Sequence, residues 1–283
     1  MLTLDPKELA IPVLQKYLQN AIAPRPICFA STVNKEGEPN LAPFSFFNIF
    51  SSNPPIAVFS PAYSGRTGAA KDTLLNVHEV PEVVINVVNY NMVQQTSLAS
   101  SPFARGVNEF MKAGFTPLAS DLIKPFRVKE SPVQLECRVT EVKELGKTGG
   151  AGNLVICEIL RIHINKTILN EENHIDTRKI DLVARMGDNW YCRASGDALF
   201  EVKKPITTLG IGIDQIPAGI RNSNVLTGNN LGLLGSIEEL PGAGEISEFK
   251  KTLKPFTSKD EQHHFAKALL EANKVKEAWM VLL

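Results

Sequence analysis

Between Ile27 and Trp190 the chain is built of short runs rich in β-branched and aromatic residues, each closed by a cluster of turn formers. That alternation leaves little room for anything but antiparallel strands. Ile27 to Val33 and Pro39 to Pro43 flank Asn34-Lys35-Glu36-Gly37, where Gly37 can take a positive φ, so the pair predicts a hairpin. Ile49 to Pro55, rich in Ser, Asn and Pro, reads as a loop, Ile56 to Phe59 as a short buried strand, and Pro61 to Ala70 as a mobile connection. Asp72 or Thr73 is expected to cap a helix running to about His78, with a strand following over Val83 to Val88. Residues 91 to 114 predict helix and loop that cover one mouth of a barrel. Strands resume over Val133 to Leu145, Leu154 to Lys166 and Val183 to Trp190. The spacing predicts a mainly β fold with α insertions, an antiparallel barrel closed or partly open rather than a βαβ sheet.

Past Pro205 the composition changes. Glycines from Gly210 to Gly244 punctuate a loop-rich stretch, and helical spacing returns from Lys259 to Leu283 with Phe265, Leu269, Leu270, Val275 and Trp279. The expected organisation is therefore a domain over 1–204 and an extension over 205–283 packed on the barrel. Residues 1–23 read as a lead-in, helical or irregular.

Charge narrows the partners. Thirty basic residues balance thirty acidic ones in 283, with no basic stripe, which argues against a nucleic-acid surface. Cys28, Cys137, Cys157 and Cys192 include no C-x-x-C pair, so neither zinc nor a redox dithiol is suggested. No apolar run approaches the ~20 residues of a membrane helix, and the charged start lacks a signal-peptide core, so the expectation is a cytoplasmic protein. There is no G-x-S-x-G elbow and no paired carboxylates.

The residues that remain suit a flat heteroaromatic ligand with a phosphate tail. Backbone amides near Ser31, Thr32 and Val33, and near Ser45, Phe46, Phe47 and Asn48, can meet the polar edge of such a ring. Phe46 or Phe47 can line its apolar edge, although each taken singly reads better as a core aromatic. Lys71 and Thr73, at a helix start, offer a cation, a hydroxyl and free N–H groups to a phosphate, with Ser60 and Arg66 on the approach. Asn76 reads either as a ligand to phosphate or sugar hydroxyls or as a buried amide. Arg185 reads either as a guanidinium near a nucleotide or as one half of a salt bridge on a strand.

Taken together, Ser31-Thr32, Asn40, Ala42-Pro43, Ser45-Phe46-Phe47-Asn48, Lys71-Asp72-Thr73 and Asn76 resemble the flavin-reductase-like family of FMN-binding split barrels, over residues 20 to about 200. Arg185, followed by a Gly turn and Trp190 or Tyr191, looks like that family's late-strand arginine. The resemblance implies FMN as cofactor, NADH or NADPH as reductant, flavin and nicotinamide nucleotide as the small-molecule partners, and a homodimer whose subunits share the flavin groove. Hydride passage to flavin N5 would need no side-chain acid or base. The alternatives are a non-catalytic module that binds flavin or haem, and pyridoxamine-phosphate-oxidase-like chemistry on the same architecture.

Overall fold

The computed structural model describes residues 1–283, which divide into two compact units, Met1–Phe200 and Glu201–Leu283. The first unit begins with helix α1 (Ile11–Ala21) and is organised by a seven-stranded antiparallel sheet. Its strands are β1 (Cys28–Val33), β2 (Pro39–Phe44), β3 (Phe47–Ser52), β4 (Pro55–Phe59), β5 (Glu82–Val87), β8 (Val133–Glu144) and β9 (Asn153–Ile164). Two short pairs stand apart from it, β6 (Pro117–Leu118) with β7 (Arg127–Val128), and β10 (Val183–Arg185) with β11 (Tyr191–Arg193).

In space the order is β2-β1-β5-β8-β9-β4-β3. The two edge strands are thus consecutive in the chain, joined by Ser45 and Phe46 alone, and the ladder runs from one to the other without a β2–β3 pairing. The expected hairpin forms as β1 and β2, with Gly37 at φ 84°. The 49–55 segment, read as a loop, is instead most of strand β3 and its turn, paired to β4 with a register shift between Ile49 and Ser51. Ser and Asn weaken the strand signal there, but cross-strand pairing with Ala57 and Ile56 overrides local propensity. The 183–190 strand is also shorter than expected. Trp190 N–H bonds the Gly187 carbonyl and Asp188 sits at φ 49°, so the chain reverses into a hairpin.

One edge is blunted. Strand alternation turns the N positions of Pro39, Leu41 and Pro43 the same way. Two of these have no N–H, and that of Leu41 bonds Glu109 Oε2 at 3.0 Å. Glu109 opens helix α4 (Glu109–Ala113), which with α3 (Val93–Leu98) packs around Phe29, Leu41 and Val88 through Phe110 and Ala99. Phe29 and Phe115 meet edge-on at 5.1 Å between ring centres. A second apolar cluster, including Cys28, Ala30, Phe59 and Ile85, packs beneath helix α2 (Asp72–Glu79), which buries Leu74 and Val77 and ends before Pro81.

The second unit is helical: α5 (Ala218–Arg221), α6 (Gly228–Gly235), α7 (Ala243–Lys251), α8 (Lys259–Glu271) and α9 (Val275–Leu282). Its glycine-rich part, read as loops, therefore contains helices. A capping box between Thr227 and Asn230 starts α6, and burial of Leu234 outweighs the helix cost of Gly228, Gly232 and Gly235. Trp279 is fully buried and donates from Nε1 to the Leu234 carbonyl at 2.9 Å. With these helices the chain as a whole is mixed α and β rather than mainly β. No helix is long and apolar enough to cross a membrane.

Candidate functional site

The residues expected to surround one ligand fall into three places. Ser31 lies inside the sheet, opposite Leu41 of β2 and Val84 of β5, whereas Thr32 and Val33 at the end of β1 pair with β2 alone. Their side chains are buried, and Ser31 Oγ has no hydrogen-bond partner. Thr32, Asn40, Thr73 and Asn76 knit into one polar network. Asn40 Nδ2 donates to Thr73 Oγ1 at 2.9 Å and to Thr32 Oγ1 at 3.2 Å, and Asn76 Nδ2 donates to Thr32 Oγ1 at 3.2 Å. Thr73 is 1% exposed. The Thr73 hydroxyl expected on a phosphate is thus a packing group that fastens α2 to the hairpin, and Asn76 takes its buried reading.

Lys71 differs. It is exposed, it sits at the N-cap of α2, and no side chain caps the first turn. Asp72, expected as a cap, is the first helical residue, 3.8 Å from Arg105. Ser60 is nearly buried, its Oγ accepting from Asn153 N–H at 3.1 Å. The 61–70 connection is hydrogen-bonded rather than loose: Ser64 N–H reaches the Ala69 carbonyl, Gly68 N–H the Ser64 carbonyl, and Tyr63 N–H the Ala151 carbonyl.

The second place is the joint between the sheet's edges. Phe46 is 43% exposed, and along β3 Ile49 and Phe50 are 66% and 69% exposed. Asn48 is exposed too, while Phe47 packs partly into the core, which settles the two aromatics differently. Ser60 N–H bonds the Phe46 carbonyl at 2.8 Å, tying this ledge to the segment that leads toward Lys71. An edge strand with apolar side chains and unpaired backbone groups can receive a flat ring on one face and its polar edge on the other.

The third place is a cavity of about 630 Å³ to which Ser45 and Arg185 contribute, together with Phe44, Tyr90 and Tyr191. Arg185 forms no strand salt bridge there. It lies 4.7 Å from the centre of the Tyr191 ring and meets Trp190 through that residue's backbone carbonyl. The backbones of Arg25 and Arg185 bond each other, and the buried Arg25 guanidinium holds the carbonyls of Gln19, Ile22 and Met186.

Residues 21–180 match the flavin reductase like domain. The chain belongs to the flavin-reductase-like family. Among relatives of this flavin-reductase-like chain, a protein of Aquifex aeolicus is 33% identical over 196 residues, 69% of this chain and 97% of its own length. Nitrilotriacetate monooxygenase component B from Bacillus cereus superposes with a TM-score of 0.66 at 29% identity, covering 71% of this chain and 98% of that one. A split barrel domain protein of Shewanella frigidimarina, 22% identical with a TM-score of 0.60 over 70% of this chain and 96% of its own, shares the fold.

Sequence reasoning missed a cluster in this flavin-reductase-like unit. Asp121, Glu136 and His163 bring ligand atoms within 4.8 Å of one another. Glu136 is fully buried, accepting from Asp121 N–H at 2.8 Å and Leu122 N–H at 2.7 Å, with His163 Nε2 at 2.7 Å. Burial pushes its carboxyl up, but those N–H donors and His163 outweigh it and hold it below the usual range. Arg161 takes Asp121 Oδ2 at 2.7 Å, so the carboxylates already have donors, and the cluster reads as a structural fastening between β8, β9 and the 121–122 turn. The available signal was a lone Glu inside the apolar run Val133-Gln134-Leu135-Glu136-Cys137. In the second unit, His263 is buried with Nδ1 2.7 Å from Ser223 Oγ.

Proposed function

We propose that the chain is an FMN-dependent oxidoreductase, an NAD(P)H:flavin reductase acting as a homodimer. The observation that carries this reading is the open ledge of Phe46, Asn48, Ile49 and Phe50 on an edge strand whose neighbouring segment leads to an uncapped helix start at Lys71. Both the ledge and Lys71 are open to solvent, which supports the reading. The family match spans both ends of that path. A nitrilotriacetate monooxygenase component among the structural relatives supports an oxidoreductase reading.

Bound flavin would accept hydride from the nicotinamide, and the protein's share is position and polarity. Lys71 and the first-turn N–H groups of α2 would hold the phosphate. The outward backbone groups of the Ser45–Asn48 stretch would bond the polar edge of the ring, and Phe46 would line its apolar edge. The exposed Ile49 and Phe50 would be covered by a second copy, which excludes water from the ring. The Thr73 and Asn76 side chains, expected near the phosphate, are instead hydrogen-bonded in the interior.

The test is the visible spectrum of the purified protein mixed with FMN, followed by anaerobic addition of NADH or NADPH. Binding and rapid bleaching of the flavin band support the enzyme. Binding without bleaching would leave a flavin-carrying module, and a haem spectrum would overturn both the cofactor and the activity.

A further inference from the structure

The 630 Å³ cavity of the first unit presents two guanidinium groups of different standing. Arg193 is neutralised: Nε and Nη2 each meet an Asp181 carboxylate oxygen at 2.7 Å, with the group 3.8 Å from the Tyr90 ring centre. Arg185 is not. Its hydrogen bond to protein runs from Nη1 to the Trp190 carbonyl at a long 3.4 Å, leaving most of its five N–H donors free. The nearby carboxylates are already engaged, Asp181 by Arg193 and Asp188 by Lys16 at 3.5 Å. No Asp or Glu lines the cavity. Behind it stands a second cation, Arg25, whose pKa is lowered by burial and then by the charge of Arg185.

We propose that this cavity binds a small planar organic monoanion of the aromatic carboxylate class, the carboxylate on the free edge of Arg185 and the ring against the Phe44 and Tyr90 side of the wall. A guanidinium fork matches a carboxylate bidentately, and the Tyr191 ring lies against the Arg185 fork at 4.7 Å. Charge count selects the class. One unpaired cation faces the cavity, which one carboxylate neutralises, whereas a diphosphate brings at least two charges. A volume of about 630 Å³ is that of a small-molecule pocket. The site stands on these contacts and not on the placement of flavin. Ser45 belongs to both the cavity wall and the ledge, so a ligand here would lie beside the proposed ring position.

The experiment is a calorimetric titration of the full chain with benzoate, its neutral analogue benzamide, and ADP. Benzoate is expected to bind saturably and at least about tenfold tighter than benzamide, the difference of a charge-assisted contact. Arg185→Gln should remove that preference. Ser97→Asp, which puts a carboxylate on an exposed position of the cavity wall, should also weaken benzoate about tenfold without touching Arg185. Equal binding of benzoate and benzamide, benzoate affinity unchanged in both variants, or ADP binding tighter than benzoate with the same dependence on Arg185 would each overturn the proposal. If Arg185→Gln does not fold, Ser97→Asp decides alone. Flavin titration of Ser97→Asp should match wild type, so failure here and failure of the flavin reading remain distinguishable.

Discussion

Lys71 and Thr73 lie two residues apart, and the structure gives them opposite jobs that a pair of variants can separate. Thr73→Val keeps the shape but removes the oxygen that accepts from Asn40 Nδ2 at 2.9 Å in a site 1% exposed. Asn40 retains its 3.2 Å bond to Thr32, so the loss sits at the low end of the cost of orphaning a buried donor, about 1–2 kcal/mol. For a chain of this size each kcal/mol lowers the melting midpoint by roughly 2–4 °C. Lys71→Ala removes an exposed side chain at a helix start, and its stability change should stay within about 0.5 kcal/mol. If Lys71 holds the phosphate, the same change forfeits a charge-assisted contact of about 1.5–3 kcal/mol, or roughly 10- to 150-fold in flavin affinity. Urea unfolding and fluorescence titration with FMN on both variants give the four numbers. Flavin affinity unchanged in Lys71→Ala would refute the phosphate site. A Thr73→Val protein as stable as wild type, yet weakened for flavin, would refute the packing role and restore Thr73 as a ligand.

Glu136→Gln should destabilise the fold at neutral pH by about 1.5–3 kcal/mol, the worth of bonds to a buried charged acceptor. Because the folded state holds the Glu136 carboxyl below its usual range, its contribution is complete above the unfolded value near ~4.3 and fades as pH falls through the lower folded one. Urea unfolding from pH 7 to pH 3 should therefore show the gap between variant and wild type closing, and a constant gap would contradict the assignment. Trp279→Ala should cost about 3–5 kcal/mol in the second unit by opening a cavity and freeing the Leu234 carbonyl, checked by near-ultraviolet circular dichroism during denaturation. Burial pushes the Cys28 and Cys157 thiols well up and Cys137 to about 12, so iodoacetamide on the folded chain should modify Cys192 first. Mass spectrometry showing early labelling of Cys137 would contradict the packed interior.

How far the sequence speaks for itself depends on range. The β1–β2 hairpin is legible because its turn, its glycine and its alternation all lie within seventeen residues, from Cys28 to Phe44. Strand β3 is not, because its pairing with β4 is what makes Ser51 and Ser52 extended. The motif residues can be picked out along the chain, but how they contact one another cannot. Thr32, Asn40, Thr73 and Asn76 come from three elements, and only the fold shows that they satisfy one another. Glu136 and His163 sit on adjacent strands, far apart in the chain, so no local spacing announces their contact. The cavity is likewise a meeting of the 45 and 185–193 segments across the first unit.

The sealing of β2 has a consequence for assembly. With Pro39 and Pro43 lacking donors and Glu109 occupying Leu41, that side offers no ladder for another chain to extend. Of the two edges of the seven-stranded sheet, β3 alone keeps an open ladder, so an edge-to-edge meeting of two such sheets would be like to like. A seam of that kind is closed once two copies have met.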